Sequence, residues 1–148
     1  MLFRSCTDGG HDERYAAQVD YFYVMLPNRA GQGAKIMTAL ADEGVNLLAF
    51  SGFPSGGKAQ LDLVPEDSVK FRKVAKKLGL KVSRRKIGFL YQADDRVGAM
   101  TKILEKLADA KINLVAVDAV GSGMGRFGAI FWVKANAVAK AAKALGAK

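Results

Sequence analysis

The chain has 148 residues, half of them hydrophobic, and a formal charge of +9. That composition excludes a disordered or fibrous polymer, and the length allows one domain or two small ones. A single cysteine, Cys6, excludes an internal disulfide framework and favours a cytoplasmic setting; with a single histidine, His11, also near the start, no metal or cofactor site is expected.

Residues 1–18 read as a polar N-terminal tail, because MLFRSCTDGGHDER has no apolar core of the kind a secretion signal needs. No stretch approaches the ~18 uninterrupted apolar residues of a membrane span. Val19 to Leu26 is apolar and aromatic, is closed by Pro27, and predicts a strand. Asn28 suits a helix N-cap, and Ile36, Met37, Leu40 and Ala41 fall on one helical face. Gly44 suits the left-handed residue after the helix. Val45 to Phe53 reads as a strand, Pro54-Ser55-Gly56-Gly57 as a turn, and Ala59 to Val64 as an alternating strand. Pro65-Glu66-Asp67 opens a second helix with Phe71, Val74, Ala75 and Leu78 inward, which Gly79 stops. Leu80 to Lys86 reads as a last, basic strand.

The pattern then repeats. At an offset of 67, Arg29, Gly31, Lys35, Ile36, Leu40, Ala41, Asp42, Asn46, Leu47 and Ala49 meet identical residues, from Arg96 to Ala116. Lys73, Ala75, Lys76, Leu78 and Gly79 meet Lys140, Ala142, Lys143, Leu145 and Gly146 at the same offset. Such a periodic match marks a duplicated module. In the second copy Ile87 to Ala93 is a strand, and Asp95 caps a helix with Val97, Met100, Ile103, Leu104 and Leu107 inward. Leu114 to Val120 and Phe127 to Val133 form a hairpin. Asn136 opens the last helix, with Val138, Ala141, Ala142 and Leu145 inward. The chain ends where that copy's final strand would begin, so the final strand is missing. The modules are therefore 19–86 and 87–148, joined without a linker through a bend at Arg84-Arg85-Lys86.

Strand, helix, strand, strand, helix, strand is the α+β, ferredoxin-like βαββαβ order, here as two tandem modules with antiparallel sheets and both helices on one face. The runs FYVML, LLAF, LVAV and AIFWV do not alternate, which implies cover on the second sheet face as well. A second subunit is the expected source, so a homodimer is predicted. Between Lys70 and Lys86 lie nine basic residues and no acid, read as a solvated helix face and a strand edge guarded by lysine.

The turns Asn28-Arg29-Ala30-Gly31 and Asp95-Arg96-Val97-Gly98, with the helix ends Gly44-Val45-Asn46 and Lys111-Ile112-Asn113, resemble the ACT domain family. That family's first turn usually reads D-x-P-G, and its first helix ends in G-[IV]-N. Here both turns lack proline, Asn28 stands for the acid and Lys111 for the glycine. The resemblance implies a non-catalytic regulatory protein that binds a small molecule, often an amino acid, at the seam between modules. The ligand-binding residues it implies are Asn28, Arg29, Gly31, Asn46 and Ser51 in copy one, and Asp95, Arg96, Gly98, Asn113 and Asp118 in copy two. The chemistry is consistent: a helix start favours an anion, glycine allows close backbone approach, asparagine both donates and accepts, and Asp95 or Asp118 suits an ammonium. Each residue also has a purely structural use, as cap, turn former or loop brace.

Gly123-Met124-Gly125-Arg126-Phe127-Gly128 matches G-x-G-x-x-G, but a strand follows it where a dinucleotide site needs a helix; it reads as a hairpin turn. The alternative function is an RNA-binding, RRM-type module, since Phe127 to Trp132 resembles the latter part of that fold's third-strand motif. Ala129, and Leu61 and Leu63 in copy one, stand where stacking aromatics are needed, so a specific nucleic-acid partner is not expected.

Overall fold

Strand β1, Tyr15–Pro27, begins four residues before the predicted start and takes in the end of the predicted tail. The structure, a computed structural model, describes residues 15–148; Cys6, His11 and most of the tail lie outside them. The described residues form two units, 20–86 and 15–19 with 87–148.

In the first unit α1 (Gln32–Asp42), β2 (Leu47–Ser55), β3 (Lys58–Pro65) and α2 (Ser68–Lys77) follow β1. The strands lie in the order β2-β3-β1, antiparallel, with Phe22 opposite Leu63 and Val24 opposite Leu61. Both helices pack on one sheet face: Ile36 and Leu40 of α1 and Phe71, Val74 and Ala75 of α2 join Phe22, Val24, Leu26 and Leu63 in one core. The Phe22 and Phe71 rings stand 4.9 Å apart. Burying such a side chain contributes ~1.5–3 kcal/mol. Asp67 caps α2 as the sequence suggests, its carboxylate accepting from the Lys70 amide at 2.9 Å.

The caps expected at Asn28 and Asp95 are not made. Helix α1 starts after Gly31, whose φ of 87° only glycine adopts without strain, and α3 (Thr101–Asp109) starts after Met100; neither start has a side-chain cap. Each helix starts three or more residues beyond the residue expected to cap it. Val97 therefore lies ahead of α3 and is fully exposed, and Leu104 and Ala41 also face solvent; Ile103, Leu107, Ile36 and Leu40 carry the buried stripe. Leu80–Lys86 is not a strand either. It makes one bridge, Val82 to Val24, beside a hydrogen bond from the Ser83 amide to the Tyr23 carbonyl at 3.0 Å.

In the second unit β4 (Lys86–Asp94), α3, β5 (Leu114–Gly123) and β6 (Arg126–Val133) lead to a 3-10 turn, Ala135–Ala137, and α4 (Val138–Leu145). Asn136 sits inside that turn. The core joins Phe89, Tyr91 and Ala93 to Phe127, Ala129 and Phe131, with Ile103, Leu107, Ala141 and Leu145 from the helices above. Its hairpin is one residue longer than the first: Leu63 pairs with Phe22, but Phe131, 68 positions on, pairs with Phe89. Ser122 absorbs the extra residue, because pairing jumps from Gly121 to Gly123, a β-bulge.

Among the described residues no strand follows α4, and the opening residues of β1 stand in the place expected for one. The opening residues of β1 belong to this unit, β1 neighbours β4, Ala16 packs against the unit's core, and the Gln18 amide donates to the Lys148 carbonyl at 2.9 Å. Second-face cover also arises within one chain. Val64 in the first unit and Leu90, Ile130 and Trp132 in the second are buried although they point away from the helices. These residues need no second subunit to leave water.

Candidate functional site

Each first turn stands at the end of its sheet where the hairpin turn also lies. In the second unit Asp94 pairs with Arg126, and the Asp95 amide donates to the Gly125 carbonyl at 2.8 Å. Gly98, φ 75°, turns the chain into α3, and the Thr101 amide donates back to its carbonyl at 3.0 Å. A hollow of about 100 Å³ opens here, lined by Tyr91, Ala93, Asp94, Arg96, Gly98 and Lys102 among others. Two basic residues, Arg96 and Lys102, are among its lining residues. Asp94 accepts from Arg126 at 2.7 Å, a pair open to solvent and worth at most ~1 kcal/mol. A water occupies ~30 Å³ of liquid, so the hollow has room for a small chemical group.

Of the five residues expected in copy two, Arg96 and Gly98 line this hollow. Asp95 is next to it, but its carboxylate lies over Gly121, 3.1 Å from where a β-carbon there would stand. Asp118 is on β5 opposite Ile130, on the sheet face away from Phe131 and the helices. Asn113 lies at the far end of α3, beside the Leu114–Val133 end of the hairpin. The nine residues of α3 span about 13 Å at ~1.5 Å each. Within one unit, then, the turn residues and the helix-end asparagine do not meet.

Copy one has the same arrangement. Asn28 and Arg29 line a larger, more open hollow of about 370 Å³ with Met25, Pro27, Gly57 and Lys58, and Gly31 leads into α1. Asn46 is at the opposite end, where its side-chain amide donates to Glu66 at 3.2 Å and its carbonyl accepts from the Glu66 amide at 2.9 Å. That is the loop brace. Ser51 pairs across β2 and β3 with Asp62.

Asp62 is the acid that inspection of the sequence passed over. It is buried, receives the Gln60 side-chain amide at 2.8 Å, and lies opposite Ser51 on one side and Tyr23 on the other. Burial, and then the charge of Asp62 and the neighbouring Tyr23, push the Tyr21 hydroxyl above its ordinary 10.0. The Lys86 ammonium lies 5.7 and 5.2 Å from the Tyr21 and Tyr23 rings. The outward polar letter in AQLDLV was visible in the sequence; the burial that makes it consequential was not. The duplication moved this acid: copy two has Ile130 at the place of Asp62 and Asp118 at the place of Ser51.

The third-strand motif forms no RRM-type surface among the described residues. Phe127, Ala129 and Phe131 all lie in the core beneath α3 and α4, so no base can stack on them. The G-x-G-x-x-G stretch is the β5–β6 turn, with Gly123, Met124 and Gly125 at positive φ. Among the described residues no helix is long and apolar enough to cross a membrane.

Two tandem ferredoxin-like modules, each with a glycine-bearing first turn, have the architecture of tandem ACT domains, and the resemblance drawn from the turns holds at the level of fold. Solved structures share this fold. Protein BT0572 from Bacteroides thetaiotaomicron superposes with a TM-score of 0.76 at 18% identity, over 88% of each chain. The ligand-free regulatory subunit of aspartate kinase from Thermus thermophilus gives 0.60 at 14% identity, over 90% of this chain and 94% of that one. A putative C-terminal regulatory domain of aspartate kinase from Porphyromonas gingivalis gives 0.55 at 14% identity, over 92% and 95%. No family model matches the sequence, and no curated protein does. At these identities the likeness is one of fold.

Proposed function

We propose that the chain is a non-catalytic regulatory module that binds a small carboxylate-bearing molecule, an amino acid being the favoured class, at the first turn of the second unit. The observation that carries this reading is the hollow beside Gly98, lined in part by Arg96 and Lys102. In a partly dry recess two cations hold a carboxylate strongly. The similar aspartate kinase regulatory subunits support the regulatory class.

The hollow accepts a ligand head and leaves the rest exposed. We propose that a second copy of the chain completes it, bringing the β5 edge with Asp118 and Asn113 to the ligand's ammonium. Copy one offers Ser51 where copy two has Asp118, so the two sites are unequal. Affinity should be micromolar to millimolar, ~4–8 kcal/mol. Calorimetry with the amino acid that gives the largest thermal shift in a screen decides the matter. Arg96→Ala and Asp118→Ala should each weaken binding at least tenfold, in line with the ~1.5–3 kcal/mol of a charged hydrogen bond, while Ser51→Ala does little. No loss from Arg96→Ala would refute the site; no loss from Asp118→Ala alone would refute the seam.

A further inference from the structure

The basic run is not explained by the fold. Edge strands often carry lysine, but the strands with one free flank in their own sheets are β2 and β5, and neither contains a basic residue. The nine charges lie elsewhere, on α2 and on the segment between it and the start of β4. On α2, Phe71, Val74, Ala75 and Leu78 turn inward, and Lys70, Arg72, Lys73, Lys76 and Lys77 cover the remaining solvent face. The duplication supplies an internal control. Helix α4 occupies the same place in its own unit with Lys140 and Lys143 matching Lys73 and Lys76, while Ala137, Ala139 and Ala144 stand where α2 has Lys70, Arg72 and Lys77. The module folds without the extra charge. Nor is that charge used up internally. Lys70 reaches the Gly44 carbonyl, Lys77 pairs with Glu43, Arg85 lies 3.9 Å from Asp20, and Lys86 lies over two tyrosines. Arg72, Lys73, Lys76, Lys81 and Arg84 remain exposed to solvent.

We propose that this face of the first unit binds the phosphate backbone of double-stranded nucleic acid without reading its sequence. The composition selects among anionic partners. Protein interfaces are poor in lysine and rich in aromatic residues, whereas six of these nine residues are lysine and the one large apolar side chain exposed on the helix is Val69. A membrane surface needs apolar residues to insert, and the apolar stripe of α2 is committed to the core. Single strands need aromatic platforms, and α2 exposes none. Lysines on a convex helix suit rigid, regularly spaced phosphates.

Fluorescence anisotropy of the full chain with labelled random-sequence 20-base-pair duplexes tests this. Binding should be measurable at ~50 mM salt and fall with a log–log salt slope of about −4, as expected for a handful of phosphate contacts. The triple substitution Arg72→Ala, Lys73→Ala, Lys76→Ala should weaken binding at least tenfold and flatten the slope. The pair Lys140→Ala, Lys143→Ala on α4 should change it less than twofold. All these side chains are exposed, and matching thermal melts verify that the variants fold. Four outcomes overturn the proposal: no binding at low salt, equal losses from both sets, a preference for one duplex sequence, or competition by polyglutamate or phosphatidylserine vesicles at equal charge as effective as unlabelled duplex. The last would assign the face to an acidic protein or to a membrane.

Discussion

Lys111 shows how a single residue departs from what its backbone requires. The ends of α1 and α3 are superposable motifs. The Gly44 and Val45 amides return to Ala41 and Leu40, as the Lys111 and Ile112 amides return to Ala108 and Leu107. The left-handed residue is Gly44 at φ 71° in one and Lys111 at φ 55° in the other. A residue with a β-carbon held there costs ~1–2 kcal/mol, part of which glycine gives back as unfolded-chain entropy. Lys111→Gly should therefore raise the unfolding free energy by ~0.5–1 kcal/mol, read as a higher urea midpoint at unchanged slope. The reverse change, Gly44→Lys, should lower it and would also crowd the Lys70 ammonium, which lies 3.1 Å from the new β-carbon. A midpoint unmoved by Lys111→Gly would show that the turn is not strained.

Among the elements, β1 serves two sheets. Its last residues, Phe22 to Pro27, pair with β3, and its first five belong to the second unit. Proline at position 18 removes the amide bonded to Lys148 and breaks a strand interior. Gln18→Pro should accelerate amide exchange in β4 more than in β3. Equal protection of β4 in both proteins would mean that the opening residues do not complete its sheet. The same element marks where the sequence was legible and where it was not. The apolar run from Val19 announced a strand, and the internal repeat announced every helix. Tyr15 to Gln18 carry too little apolar pattern to announce anything, since their partner lies at the far end of the chain. Local pattern likewise suggested a strand at Leu80–Lys86, which the structure reduces to a bridge at Val82. The first turns were found as motifs. That Asn46 and Asn113 stand at the other ends of their helices follows from topology, which spacing along one chain does not display.

At the scale of the whole molecule, the case for a second copy rests on what one chain leaves exposed. Val64, Leu90, Ile130 and Trp132 are already buried, but Val115, Val117 and Val120 on β5 and Phe50 and Phe53 on β2 remain open. Apolar strands with a free flank and no lysine to guard it pair readily with other strands. Light scattering at micromolar concentration should give twice the 15.8 kDa of the chain. Val117→Lys, on a half-exposed position of β5, should return it to the monomer without unfolding it. A monomer in the unaltered protein would remove both the dimer and the proposed completion of the hollow.

The bond between Gln18 and Lys148 has a bearing on how the protein is made. It joins positions 130 apart (148 − 18), so it closes a loop through nearly all the described residues. Closing a flexible loop of that size costs ~4 kcal/mol of chain entropy, which only a largely formed core can offset. On the ribosome the first unit holds all its parts once residue 86 is clear of the exit tunnel. The opening residues of β1, which emerge before everything else described, have no partner in the second unit until β4 follows, and none at Lys148 until every other element of that unit has been made. The first strand described is therefore among the last to be fully seated, because its bond at Lys148 can form only after all the other described elements have emerged.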